Sequence, residues 1–294
     1  MNRWLSVWIA LLLPLLGVER AADFTEALEL AKAGGKDIAV LYHGSEWCVP
    51  GRPLAERWES DGFEKALGAD LILVGIDTKE HPTEAEAELG KRNDRCPVKP
   101  RSYPAVMLFD SEGRLVARRD GVSEIKAMGV LETALERAVE VRKQRDMHWA
   151  EAEAAEGQRA ARLFGEGLDL MNLGLGPKNI YKPVLDKMKA ADPDDQSGFA
   201  ARYEFPGMGL VGQSTKLAGE KKFEEADAEI SKWLSKKRLT DDQKQVAWSA
   251  RFALYQRWPE RKEKVPDVLK ALQRVDPDSD MGKAAAQYLK MLEQ

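Results

Sequence analysis

Ten residues of the chain, GSEWCVPGRP from Gly44 to Pro53, have the clearest chemical content. Cys48 follows an aromatic residue, Trp47, and comes soon after a short apolar run, Asp37–Tyr42. A cysteine between a strand and a helix N-terminus sees unpaired backbone N–H groups and the positive end of the helix dipole. Both stabilise thiolate, the form that attacks a disulfide sulfur. A second cysteine three positions on would resolve the resulting mixed disulfide, but Gly51 stands there. Proline costs about 3 kcal/mol inside a helix, so with Pro53 in place the helix is expected to begin only at Arg52 or Pro53. Cys48 would then lie a turn outside the helix and lose much of its activation.

The second cysteine of the chain is Cys96, in RCPVKPRSYP, eight residues before Pro104. Two cysteines allow one bridge or two free thiols with different tasks. A Cys48–Cys96 bridge would be a redox pair or a structural staple, and it needs a Cα separation of about 4.4–6.8 Å. Without it Cys96 is a thiol with no part in the site. His43, five residues before Cys48, is by type a base or a thiolate partner. Alternation along a strand points it away from the sulfur. His81 reads as a loop residue entering a helix, and His148 sits in a charged helix. These cysteines and histidines show no metal-ligand spacing, and no phosphate-binding glycine pattern is present, so no metal and no cofactor is expected.

The elements that must carry these residues come from a chain of 294 residues, long enough for two cores. With 44% hydrophobic and 32% charged residues and a formal charge of −4, nucleic acid and anionic membrane are poor partners. At the N-terminus one positive charge precedes the apolar stretch Trp4–Val18, and Ala21-Ala22 offers small residues for cleavage. That is the layout of a secretory signal peptide over residues 1–22, although Glu19 and Arg20 sit where small residues usually precede the cut. Fifteen residues fall short of the roughly 20 that span a bilayer, so no stable membrane span is expected and the mature protein is read as periplasmic or extracellular.

From Asp23 the pattern is regular. Asp23 and Glu26 form a capping box for a helix whose apolar face holds Phe24, Ala27, Leu28 and Ala31, ended by Gly34-Gly35. DIAVLY (37–42) and LILVGID (71–77) are apolar runs suited to strands buried on both faces. Leu54, Trp58 and Phe63 support a helix between them, and another covers Thr83–Arg92. SYPAVMLFDSEGRLVARRDG (102–121) reads as a β-hairpin turning at DSEG. A long helix then starts near Ser123 and runs towards Met171, with a break near Gly157. Parallel strands joined by helices and closed by a hairpin make an α/β sandwich of about one hundred residues.

In order and in residues this half resembles the thioredoxin-like family. SEWCVP occupies the place of that family's Trp-Cys-x-x-Cys motif, and SYPAVMLFDSEGRLV is similar to its cis-proline segment and hairpin. The likeness covers roughly Asp23 to Glu140. It implies that Cys48 is the nucleophile, Trp47 its aromatic neighbour and Pro104 the cis-proline facing the sulfur. With Tyr103 these form a substrate groove, since a cis X-Pro bond can present backbone groups to an extended peptide. Gly51 departs from the family, and so does Tyr42, which stands six residues before the cysteine where many members carry a buried acid.

Beyond Asp146 strand signals end. VLDKMKAADPDDQSGFAA from Val184 and VLKALQRVDPDSDMGKAA from Val268 match at a constant offset of 84, and Phe223–Leu254 shares their helix–acidic turn–helix plan. Three such hairpins mark an α-solenoid, loosely similar to tetratricopeptide units, with a groove for peptides or proteins. Trp233, Trp248 and Trp258 are read as core, and YEFPGMGLVGQ (203–213) as a glycine-rich loop. The expected organisation is therefore a signal peptide (1–22), a thioredoxin-like α/β sandwich (23–145) and an all-α, solenoid-like helical repeat domain (146–294). Two functions remain open. One is monothiol disulfide exchange or isomerisation on protein clients, helped by an external thiol; the other is a catalytically silent adaptor or chaperone that binds partners through its helices.

Overall fold

A computed structural model describes residues 18–68, 70–127, 129–171 and 178–292. The apolar stretch read as a signal peptide lies outside them except for Val18. The chain divides into two compact units, one running through Asp146 and joined by Leu170 and Met171, the other from Met147 onward.

The first unit is built on a five-stranded sheet in the order β1-β3-β2-β4-β5. Its strands are β1 (Glu19–Arg20), β2 (Asp37–His43), β3 (Leu71–Asp77), β4 (Ala105–Phe109) and β5 (Leu115–Asp120). β1, β3 and β2 are parallel, while β4 runs antiparallel to β2 and forms a hairpin with β5. Strands β2 and β3 are apolar because both faces are covered. Ile38, Val40 and Tyr42 face one side, where Phe109 stacks edge-on against Phe24 at 5.1 Å. Asp37, Ala39, Leu41 and His43 face the other.

Helix α1 (Phe24–Gly34) begins as its sequence dictates, with the Asp23 side chain accepting from Glu26 N. The Glu26 carboxylate reaches back one residue further than a standard capping box and accepts from Ala22 N. The helical segment after the cysteine is split into α2 (Arg52–Trp58) and α3 (Asp61–Ala66), because Ser60 caps a new start by accepting from Phe63 N. Trp58 and Phe63 are fully buried with ring centroids 5.1 Å apart. α4 (Glu84–Asn93) carries a complete capping box from Thr83 and Glu86.

β1 falls inside the stretch assigned to the signal peptide. Arg20 is held by ion pairs to Glu59 and Glu64 and donates to Trp58 O, and Ala21 N donates to Leu73 O. Glu19 and Arg20 thus form the edge strand of the sheet, and Ala21 extends its pairing by one hydrogen bond. The helix expected from Ser123 is also interrupted once more than the sequence suggests. α5 (Gly121–Ala127) ends before Gly129, whose φ of +77° breaks the turn, and α6 runs over Leu131–Glu153. Two arginines one turn apart on α6 pin it to one end of the sheet, Arg142 pairing with Asp37 at 3.1 Å and Arg145 with Asp110 at 2.8 Å.

The second unit is helical. After a break at Gly157, where φ is +58°, come α7 (Gly157–Leu170), α8 (Lys182–Ala191), α9 (Phe199–Glu204), α10 (Met208–Gly219), α11 (Phe223–Leu234), α12 (Asp241–Tyr255), α13 (Val265–Val275) and α14 (Asp280–Leu292). Both Asp-Pro turns are held by the aspartate, but at different reach: Asp192 accepts from Gln196 N and Ser197 N, four and five residues on, and Asp276 from Asp278 N and Ser279 N, two and three residues on. Their glycines differ in task. Gly198 takes φ +77° as the N-cap of α9, whereas Gly282 lies inside α14, where a side chain would overlap Asp276 O. Trp258 is buried, with Trp233 and Trp248 packed half-buried against the same core. The glycine-rich stretch 203–213 is not a loop. Only Phe205–Gly207 is unwound before α10, which tolerates Gly209 and Gly212 because Leu210, Ser214 and Ala218 bury its inner face.

Candidate active site

Parallel strands β2 and β3 end side by side, with His43 and Asp77 as register partners. The chain leaves β2 through Gly44, where a side chain would overlap the Trp47 indole. That absence lets Trp47 fold back over the loop and donate Nε1 to Thr78 O at 2.8 Å. The turn closes with Cys48 N donating to Gly44 O at 2.7 Å. Two long-range clamps fix it. Ser45 donates its N–H and its hydroxyl to the two Asp77 oxygens at 2.7 and 2.6 Å, and Arg52 reaches back to Ser45 O and Glu46 O.

Cys48 caps a 3-10 turn, Val49–Gly51, and α2 follows at Arg52 with Pro53 in its first turn. Pro53 thus sits where no N–H is needed. The Cys48 residue is 4% exposed between Trp47 at 37% and Val49 at 66%. Gly51 packs directly beneath the sulfur. A Cβ on residue 51 would lie 3.0 Å from Cys48 Sγ, 3.5 Å from Cys48 Cβ and 3.3 Å from His43 Cβ. His43 is therefore not turned away from the cysteine, as strand alternation suggested, because the 3-10 turn folds over the sheet face that carries His43.

Burial lowers the imidazole pKa against the opposing charge of Asp77, whose Oδ1 is 3.7 Å from His43 Nδ1. Asp77 itself is raised by burial but brought below the usual carboxylate range by the Ser45 hydrogen bonds. Lys79 Nζ lies 3.3 Å from its other oxygen.

The hairpin contributes Tyr103 and Pro104. Their peptide bond is cis, and Pro104 O accepts from Gly121 N. The Tyr103 ring meets Trp47 edge-on at 4.9 Å, and its hydroxyl is 3.2 Å from Thr78 Oγ1. Segments more than fifty residues apart in sequence are thereby joined into one lip beside Cys48.

Cys96 is elsewhere. Both cysteines are free thiols, so the Cys48–Cys96 bridge that the cysteine count allows is not formed. Cys96 is 2% exposed, donates to Val98 O at 3.3 Å and lies beside the Tyr42 hydroxyl. Tyr42 and His43 point to opposite faces of the sheet, and each takes its neighbouring cysteine's surroundings with it. Burial raises both the Cys96 thiol and the Tyr42 hydroxyl. Among the described residues no cluster of three His, Cys, Asp or Glu side chains could hold a metal ion. Ser45, Arg52, Asp77 and Thr78 escaped the sequence reading. Asp77 carried one signal, an acid closing an otherwise apolar strand.

No protein-family model matches the chain. Among curated proteins it is similar to the disulfide bond reductase DsbH of Chlamydia pneumoniae, with 27% identity over 98 residues. That stretch is 33% of this chain and 59% of the relative, so the chain spans under two thirds of the protein it matches. A solved structure described as DsbH oxidoreductase is 22% identical, with a TM-score of 0.30 over 42% of this chain and 90% of its own. The first unit is an α/β domain built on a mixed five-stranded sheet. A helical unit follows it.

Proposed function

We propose that this chain carries out thiol–disulfide exchange on protein clients with Cys48 as its single nucleophile. The observation that carries the reading is the contact between Tyr103 and Trp47, which brings the Tyr103-Pro104 segment against the cysteine loop and forms an exposed aromatic lip. The similarity to a disulfide bond reductase over 98 residues supports the same chemistry. The Cys48 thiolate attacks one sulfur of a client disulfide, forming a mixed disulfide and releasing the other sulfur as thiolate. With Gly51 beneath it and Cys96 across the sheet, nothing in the chain resolves that bond. A client thiol does so in isomerisation, or an external thiol in reduction, with no net redox change in the protein over the cycle. The helical unit holds the client, and the protein works outside the cytoplasm, led there by the apolar N-terminal stretch. Among the described residues no helix is long and apolar enough to cross a membrane.

A second reading, a catalytically silent adaptor, is favoured by one observation. α2 begins only at Arg52, so Cys48 lies a 3-10 turn outside the helix and its dipole acts through a weaker, shorter element. Reactivation of a disulfide-scrambled client in the presence of a small thiol separates the two. Exchange through Cys48 requires acceleration by the full chain and by Cys96→Ser, with loss in Cys48→Ser. Equal rates for the full chain and Cys48→Ser would favour the adaptor.

A further inference from the structure

Attack on a disulfide requires Cys48 to lose its proton, and β2 ends just before the cysteine loop in Tyr42 and His43. Tyr42 is unsuited to the task, since it lies against Cys96 on the opposite face of the sheet from His43. We infer that His43, positioned by Asp77, is the proton acceptor for Cys48. The inference rests on the exchange reading above and assigns a further residue to the same site.

The geometry supplies three links. First, the space beneath Gly51 is bounded by both Cys48 Sγ and His43 Cβ, at 3.0 and 3.3 Å from the point a Cβ would occupy. Sulfur and histidine therefore border the same space left by the absent side chain at position 51, the cysteine by its Sγ and the histidine by its Cβ. Second, the Asp77 carboxylate stands 3.7 Å from Nδ1, which is buried without a hydrogen-bond partner among the described residues. That anion favours the tautomer with the proton on Nδ1, leaving the Nε2 lone pair as the acceptor. Third, Ser45 joins Asp77 to the cysteine loop with two hydrogen bonds, so acceptor, positioning residue and nucleophile are fixed by one connected set of contacts. The remaining charged groups that face His43 are Glu59 at the end of α2 and Lys79 just after β3. Burial keeps the ring neutral near pH 7, the form able to accept a proton.

The step balances. The proton of Cys48–SH moves to His43, the thiolate bonds to one client sulfur, the S–S bond breaks, and the departing client thiolate takes the proton back from the imidazolium. No electrons are gained or lost in total.

The test is the alkylation rate of Cys48 in the full chain across pH, located by mass spectrometry, for wild type, His43→Gln and Asp77→Asn. Wild type should show two inflections, one from the imidazole and one from the thiol. His43→Gln should lose one of the two inflections and label about tenfold more slowly near pH 7. Asp77→Asn should move the imidazole inflection to lower pH while keeping both. As a check independent of how His43→Gln folds, the NMR titration of His43 should shift when Cys48 is replaced by serine, since coupled groups must perturb each other. Superimposable wild-type and His43→Gln profiles, or an unmoved His43 titration in Cys48→Ser, would overturn the assignment. Exchange activity is measured separately. If it is absent while the two inflections persist, the exchange reading fails and the His43–Cys48 coupling stands.

Discussion

Replacing Gly51 with cysteine should convert the monothiol site into a dithiol one without moving the backbone. In a disulfide each Cβ lies about 3 Å from the partner sulfur, given an S–S bond of about 2.04 Å, and the two Cβ atoms are about 3.5–4.5 Å apart. A Cβ on residue 51 would stand 3.0 Å from Cys48 Sγ and 3.5 Å from Cys48 Cβ. Both values match a closed bridge. The bond would close a four-residue loop, for which chain entropy gives about 2 kcal/mol of stabilisation of the oxidised over the reduced form. For a unit of this size that is about 4–8 °C in unfolding midpoint. Slight crowding against His43 Cβ at 3.3 Å takes away part of the gain. Peptide mapping of unreduced Gly51→Cys should therefore find residues 48 and 51 linked, and its midpoint should fall on adding reductant. The engineered pair should also release a small thiol captured at Cys48, which wild type retains. If both cysteines of Gly51→Cys stay open to alkylation after exposure to oxidised glutathione, the placement of Gly51 beneath the sulfur is wrong.

Other consequences follow from contacts away from the sulfur. Gly44→Ala forces the Trp47 ring off the loop, at an overpacking cost of about 1–3 kcal/mol, and should change Trp47 fluorescence through loss of the Thr78 and Tyr103 contacts. Arg145 is fully buried and pairs with Asp110, itself almost buried, so Arg145→Ala should destabilise in denaturant unfolding, though by less than the about 3–5 kcal/mol of a stranded buried charge, because Arg114 still pairs with Asp110. Burial pushes Asp37 up to about 6 in spite of Arg142. The folded state then holds its proton at pH values where the unfolded chain has lost it, so stability falls as pH rises from about 4 to 6, by about 3 kcal/mol for this group. Asp37→Asn should flatten that slope in unfolding midpoints measured across the range.

What could be read from the sequence was set by short-range chemistry. Strands β2 and β3 were legible because burial on both faces leaves an unbroken apolar run, and the DSEG turn and the Asp23 cap because their side chains act within a few residues. Strand β1 was not. Its two residues hold no pattern, and it is secured by Arg20 reaching Glu59 and Glu64 some forty positions away. The 203–213 stretch misled because its glycines are helix-breaking by propensity, a preference that burial of Leu210, Ser214 and Ala218 overrides. At the site, Cys48 stood out by type and position, Trp47, Tyr103 and Pro104 through the resemblance, and the late start of α2 followed from Pro53. The separation of Cys96 from Cys48 needed the pleat. Adjacent residues Tyr42 and His43 face opposite ways, and sequence distance says nothing of which cysteine lies on which side.

The most direct test of a single nucleophile at Cys48 is reaction of the unreduced full chain with oxidised glutathione, followed by mass spectrometry of the modified peptides. The account predicts one glutathione adduct, on Cys48, that persists until an external thiol is added, with Cys96 unmodified. An unmodified Cys48, or a Cys48–Cys96 bridge in its place, would contradict it.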